Sequence, residues 1–136
     1  MEPVPSHQSP VTHSGESPHK GKPGWVRVRN ALFYSLAGLA AAFRHEAAFR
    51  LEVLLAAVLI PLALLLPVSG PGKALLVAAV LLTLIVELVN AAIEAVVDRI
   101  SLENHPLAKR AKDIGSAAVF VSLINAATVW LLVLFG

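Results

Sequence analysis

The sequence predicts an all-α integral membrane protein: an N-terminal amphipathic helix on the membrane surface, followed by three transmembrane helices. Three observations carry that prediction. Hydrophobic residues make up 57% of the 136, with a mean hydropathy of +0.73, far more than a soluble domain with a single core requires. The charged residues, 15% of the chain, fall in clusters that leave long uncharged stretches between them. If three spans start from the cytoplasm, ten of the eleven Lys and Arg residues lie inside and only Lys73 lies outside.

Residues 1–24 hold five of the nine prolines and almost no large apolar side chain. Such a segment cannot bury enough surface to offset the entropy of ordering, so a disordered cytoplasmic tail is expected. It lacks the apolar core and small-residue cleavage site of a secretory signal. His7, His13 and His19 recur every six residues there, but no regular element would gather them around a metal.

From Trp25 to Arg50 the run WVRVRNALFYSLAGLAAAFRHEAAFR sets Leu32, Leu36, Leu39 and Phe43 at spacings of three and four. Arg27, Arg29, Arg44 and Arg50 frame this stripe, and Trp25 and Tyr34 are of interfacial type. The pattern predicts a surface helix over 26–50, the opening element of a membrane domain covering 25–136.

Three apolar segments follow. The first, 53–68, contains Pro61, is bounded by the turn cluster from Pro67 to Gly72, and is near the lower length limit for a span. The second covers 74–97 and the third, uncharged, 116–135. A bilayer core of about 30 Å is matched by such lengths at about 1.5 Å per residue. This topology leaves the N-terminus cytoplasmic and the C-terminus outside. Ser122, Asn125 and Thr128 are the polar residues in the interior of the third span, and hydrogen bonds between helices are their expected use. The absence of cysteine excludes disulfides and thiolate metal sites. No basic groove with interleaved aromatics is present, so nucleic acid is not an expected partner.

The second span carries VELVNAAIEAVVDR, Val86 to Arg99. At about 100° per residue, Glu87, Asn90, Glu94 and Asp98 share an arc of about 80° on one face. Glu87 lies about 18 Å along the axis from Arg99, well inside the apolar zone. A central carboxylate costs about 2.5 kcal/mol or more on insertion scales, which makes an intramembrane acid a functional candidate. Packing through interhelical hydrogen bonds is the bland reading of one buried Glu, and is weaker for two carboxylates and an Asn on one face. A proton path is a second reading, but the outer half of this span is apolar.

Clustered carboxylates beside a basic cytoplasmic connection suit a hard divalent cation that in turn holds phosphate. Mg²⁺ usually binds one or two carboxylates plus substrate phosphates. Glu46, in RHEAAFR, supplies a further carboxylate, and Lys109, Arg110 and Lys112 supply positive charge, although ordinary membrane topology also accounts for those basic residues. SGPGK, Ser69 to Lys73, is not a P-loop, because its glycine spacing is wrong and it falls outside.

The runs EAAFRLE (Glu46 to Glu52), VELVNAAIEAVVDRI (Val86 to Ile100) and HPLAKRAKDIGSAAV (His105 to Val119) resemble the prokaryotic diacylglycerol kinase family, in order and from about Trp25 onward. The resemblance implies a small lipid kinase of the bacterial inner membrane, a homotrimer with active sites shared between subunits. It would use Mg²⁺ and ATP to phosphorylate diacylglycerol to phosphatidic acid, feeding phospholipid recycling. By position, Glu87 is then the general base, and Glu46 and Glu94 are the metal ligands. Arg27, Tyr34, Glu46, Glu94, Glu103, Asn104, His105, Lys112 and Asp113 fall around the nucleotide. Arg27, Ala31, Ser35, Ala48, Phe49, Arg50, Leu51, Glu52, Glu87 and Ser116 fall along the lipid, with Asn90 and Asp98 in support. Leu36, Ala37 and Ala40 depart from the bulkier or basic residues of well-known members. Related proteins that phosphorylate undecaprenol are the alternative within the family, and a non-enzymatic membrane subunit or proton-coupled carrier is the alternative outside it.

Overall fold

The computed structural model describes residues 23–100 and 105–136; the expected tail up to residue 22 and the segment 101–104 lie outside the described residues. Four helices follow in order: α1 (Gly24–His45), α2 (Ala47–Leu65), α3 (Gly70–Ile100) and α4 (Pro106–Phe135). The described residues contain no strand. The chain divides into two compact units, Met1–Tyr34 and Ser35–Gly136.

In the first unit α1 starts with Val26 N and Arg27 N donating to Pro23 O at 3.0 and 3.3 Å. The Arg29 guanidinium lies 5.7 Å from the centre of the Trp25 ring, a cation–π contact of about 0.5–1 kcal/mol at an exposed site. Trp25, Val28, Leu32, Phe33 and Tyr34 are all exposed. That suits a helix lying at a membrane surface.

In the second unit α1 ends at His45, five residues before the expected end of the surface helix. Glu46 leaves the helix with φ −106° and ψ 112°, and Ala47 to Arg50 open α2 instead. The cause is a tertiary cap. Arg50 Nη1 donates to the carbonyls of Phe43 (3.0 Å) and Arg44 (3.1 Å), at a helix end whose carbonyls lack partners within α1. Arg44 and His45 in the last turn also suit the negative end of the helix dipole.

With 19 residues α2 is about 28 Å long and continues through Pro61. Leu66 N still donates to Leu62 O, and Pro67 follows directly. Lys73 Nζ reaches back across the connection to Leu64 O at 2.8 Å, satisfying a carbonyl at the end of α2. Ser69 Oγ accepts from Gly72 N at 3.2 Å and so caps the start of α3, with Pro71 in the first turn.

Both later helices outrun their expected spans. The 31 residues of α3 and 30 of α4 measure about 46 and 45 Å. α4 begins ten residues early: His105 Nδ1 accepts from Leu107 N at 3.2 Å, Pro106 takes the first helical position, and the charged run LAKRAKD consists mostly of helix formers. Charge keeps that run out of the apolar core without ending the helix.

α3 packs against both α2 and α4. Its buried residues Gly72, Leu76, Ala79, Val80, Thr83, Glu87 and Asn90 form one stripe at spacings of three and four. α2 buries Phe49, Ala56 and Ala63 every seven residues, and α4 buries Gly115 and Ser122, also seven apart. Small residues at such seams let backbones approach where no water is present to drive packing. Trp130 Nε1 on α4 donates to Leu76 O on α3 at 3.3 Å. The hydroxyls of Ser122 and Thr128 donate within their own helix, to Val119 O (2.7 Å) and Ile124 O (2.8 Å), contrary to the expected bonds between helices. The i−3 and i−4 carbonyls lie nearer than any neighbouring helix. Outward-facing Leu54, Val58, Leu65, Val121 and Leu132 are exposed, as for helices surrounded by lipid. α2, α3 and α4 are each long and apolar enough to cross a membrane.

Ala63 has no exposed surface at the α2 seam, so Ala63→Leu overpacks it. Destabilisation by about 1–3 kcal/mol is expected, read as a lower unfolding midpoint in detergent, while Leu65→Phe on the outward face changes it by less than about 0.5 kcal/mol.

Candidate active site

The buried stripe of α3 changes chemistry halfway along. Its first part is small and apolar; its continuation is Glu87, 4% exposed, and Asn90, 8% exposed. Glu94, one turn later, is half-buried and Asp98 is exposed. The four polar groups predicted to share a face therefore run in a graded line from the protein interior to the helix end.

Two further carboxylates approach this line. Glu46, half-buried at the break between α1 and α2, and Glu94 both lie within electrostatic reach of Glu87. Glu52, a turn and a half into α2, is likewise close to Glu87. Repulsion among such neighbours is large at low dielectric, and a bound cation relieves it. The ion pairs at the α3–α4 end, Lys112–Asp98 and Lys109–Asp113, each at 2.5 Å, do not involve these four groups.

Hydrogen bonds order the line. Asn90 Nδ2 donates to Glu94 Oε1 at 3.2 Å and so orients that carboxylate. Lys112 on α4 holds Asp98 on α3 and ties the two helix ends together, a solvated pair whose value is positional more than energetic. Lys112 and Asp113 thus stand side by side on α4, one paired across to α3 and the other along its own helix.

Among the described residues no three His, Asp or Glu side chains converge closely enough to chelate a metal alone. An ion held here would have one or two carboxylates and would complete its shell with water or phosphate oxygens, as Mg²⁺ does elsewhere. Glu46, at the break between α1 and α2, and Glu94, on α3 itself, are the carboxylates near Glu87 that could hold such an ion.

The remaining expected site residues divide by location. Glu103 and Asn104 lie outside the described residues. His105 is exposed, with its imidazole capping α4. Arg27, Ala31 and Tyr34 are exposed on the first unit; Ser35, Ala48, Leu51 and Ser116 are exposed on the second. Phe49 is 3% exposed and belongs to the packed core, and Arg50 holds the α1–α2 corner. Beside Glu52 an apolar cavity of about 270 Å³ opens between α2, α3 and α4, lined also by Leu59, Val80, Thr83, Leu123 and Trp130. Glu52 Oε2 is buried without a hydrogen-bond partner among the described residues.

Two positions escaped the sequence reading. Gly115, in the α4 interior, lies against Asn90, and its one available signal was a glycine inside a helical run. The Trp130–Leu76 bond had no sequence signal, since an indole at a span end is equally an interfacial anchor.

A family model described as prokaryotic diacylglycerol kinase matches residues 33–134. Diacylglycerol kinase of Pseudomonas aeruginosa is 60% identical over 120 residues, covering 88% of this chain and 98% of the relative. Those of Haemophilus influenzae and Escherichia coli are each 46% identical, over 112 and 113 residues, covering 82% and 83% of this chain and 95% and 93% of the relatives. With three helices able to span a bilayer and this family match, the chain is at home in a bacterial membrane. A family-model match over residues 33–134 and identities of this size over most of both chains lead to one conclusion: the chain belongs to the prokaryotic diacylglycerol kinase family.

Proposed function

We propose that this protein transfers the γ-phosphoryl group of ATP to the free hydroxyl of diacylglycerol, giving phosphatidic acid and ADP in the bacterial inner membrane. The observation that carries the reading is the graded polar line on α3, in a chain whose bacterial relatives are named diacylglycerol kinases. A lipid hydroxyl is confined near the membrane interface and a nucleotide to water, and the line from Glu87 to Asp98 joins the two.

Glu87, the deepest carboxylate, takes the proton from the lipid hydroxyl as its oxygen forms the new bond to the γ-phosphorus and the bond to the ADP oxygen breaks. Glu46 and Glu94 would hold Mg²⁺, which would supply charge neutralisation for the transferring phosphoryl group. Arg110 and Lys112 lie near the start of α4, where their positive charge would favour phosphate. The apolar cavity beside Glu52 supports an acyl chain reaching the base from within the bilayer. Phosphoryl transfer depends mainly on positioning and electrostatic stabilisation, so a small helical protein without a P-loop suffices.

Purified wild type in mixed micelles, given labelled Mg-ATP, is expected to label diacylglycerol in preference to undecaprenol. Glu87→Gln keeps nucleotide affinity and loses nearly all turnover; Glu94→Gln weakens Mg-nucleotide binding. Undecaprenol labelling would reassign the substrate, and equal nucleotide losses in both variants would overturn the division of roles.

We place the N-terminus in the cytoplasm and the C-terminus in the periplasm, on the distribution of Lys and Arg. Because the chain has no cysteine, single cysteines at positions 2 and 136 report this directly. A membrane-impermeant maleimide applied to cells with a permeabilised outer membrane should label position 136 and spare position 2.

The working form is a homotrimer with sites shared between subunits. The family resemblance supports that assembly. Chemical crosslinking of the purified protein in mild detergent is expected to give a ladder that ends at the trimer, and crosslinking that stops at the dimer would overturn this assembly.

A further inference from the structure

Gly115 lies inside α4, a helix that runs uninterrupted from Pro106 to Phe135. A glycine there is less favourable for the helix than alanine, and neither a turn nor a left-handed backbone asks for it. Its surroundings supply the reason. A Cβ built at Gly115 would collide with Asn90 Oδ1, and the next nearest atoms, Cγ at 3.3 Å and Cβ at 4.0 Å, belong to Asn90 as well. The space denied to a methyl group is occupied by one side chain of the polar line.

That side chain is fixed at both ends. Asn90 Nδ2 donates to Glu94 Oε1, while Asn90 Oδ1 is buried with no conventional hydrogen-bond donor among the described residues. The amide cannot be turned over, because its oxygen would then face the Glu94 carboxylate, acceptor against acceptor. In the observed orientation Oδ1 faces the Gly115 backbone, where a Cα–H group is a weak donor. Along this seam α3 is packed against α4, and further along it Trp130 Nε1 of α4 is bonded to Leu76 O of α3, so the helices do not simply part. A methyl group at position 115 therefore displaces the amide, and the displaced amide releases Glu94.

We infer that Gly115 is a positioning residue for the phosphoryl transfer: by leaving room for the Asn90 amide, it sets the orientation of the Glu94 carboxylate toward the cation and nucleotide. This rests on the reading of Glu94 given above. Groups that orient a metal-binding carboxylate typically influence metal affinity by about ten- to hundred-fold.

The test is a double-mutant cycle of Gly115→Ala and Asn90→Ala, with Glu94→Gln alongside, in the full-length protein in detergent. Binding of Mn²⁺ with a non-hydrolysable ATP analogue is read by electron paramagnetic resonance, and kcat and the KM for diacylglycerol are measured separately. Each single variant should weaken Mn²⁺–nucleotide binding by about ten- to hundred-fold and leave the diacylglycerol KM unchanged. The double variant should bind no more weakly than Asn90→Ala, because the group that the added methyl would strike is gone. If Gly115→Ala does not fold, equal binding by Asn90→Ala and the double variant remains the expected result. Additive losses, or a loss confined to the diacylglycerol KM, would overturn the inference while Glu94→Gln still binds poorly. Unchanged Mn²⁺–nucleotide binding in Glu94→Gln would instead overturn the role given to Glu94, and this inference with it.

Discussion

Everything in the second unit depends on how α3 is allowed to carry carboxylates at membrane depth. In hydrocarbon, a polar group without a protein partner costs several kcal/mol, so an acid such as Glu87 persists only on a face covered by neighbouring helices. The same stripe supplies that cover. Gly72, Ala79 and the alanines of α2 bring the helices close at one end, and Gly115 keeps α4 close at the other. Packing and chemistry are successive parts of a single helix face.

The polar end of α3 is organised differently. There exposure rises residue by residue, so hydrogen bonds and ion pairs take over from burial as the means of placing groups: Asn90 to Glu94, Lys112 to Asp98, Lys109 to Asp113. Exposed pairs exchange readily, which suits groups that must meet a charged ligand arriving from water. The interior acid needs permanence and the outer ones need availability, and the gradient of burial along α3 gives each what its position requires.

Much of this was legible in the sequence because helical period and charge distribution are sequence properties. The shared face of Glu87, Asn90, Glu94 and Asp98 follows from spacing alone, and the three apolar helices follow from hydropathy. What escaped depends on which particular groups meet in three dimensions, whether a few residues apart or many. The break at Glu46 is set by Arg50 folding back onto Phe43 and Arg44, which no periodic pattern registers. The early start of α4 was hidden because charge marks where a bilayer ends, and a helix continues past that point when its residues favour it. Ser122 and Thr128 were assigned to neighbouring helices, yet their own backbone carbonyls were nearer. Gly115 became meaningful only once Asn90 was seen beside it.

The three apolar helices are unequal: α2 has 19 residues against 31 and 30 in α3 and α4. The surplus length of α3 and α4 is charged at one end, and charge keeps it out of the hydrocarbon, so the apolar stretches of the three helices are closer in length than the helices themselves. α2 barely matches the hydrocarbon core and must follow it by tilting or by deforming the lipid. Glu46 stands just before its first residue and Glu52 shortly after, while Glu87 and Glu94 ride on α3. The surplus turns carry Asp98, Lys109, Lys112 and Asp113 past the bilayer core, so the two long helices reach water where the short one ends with the lipid.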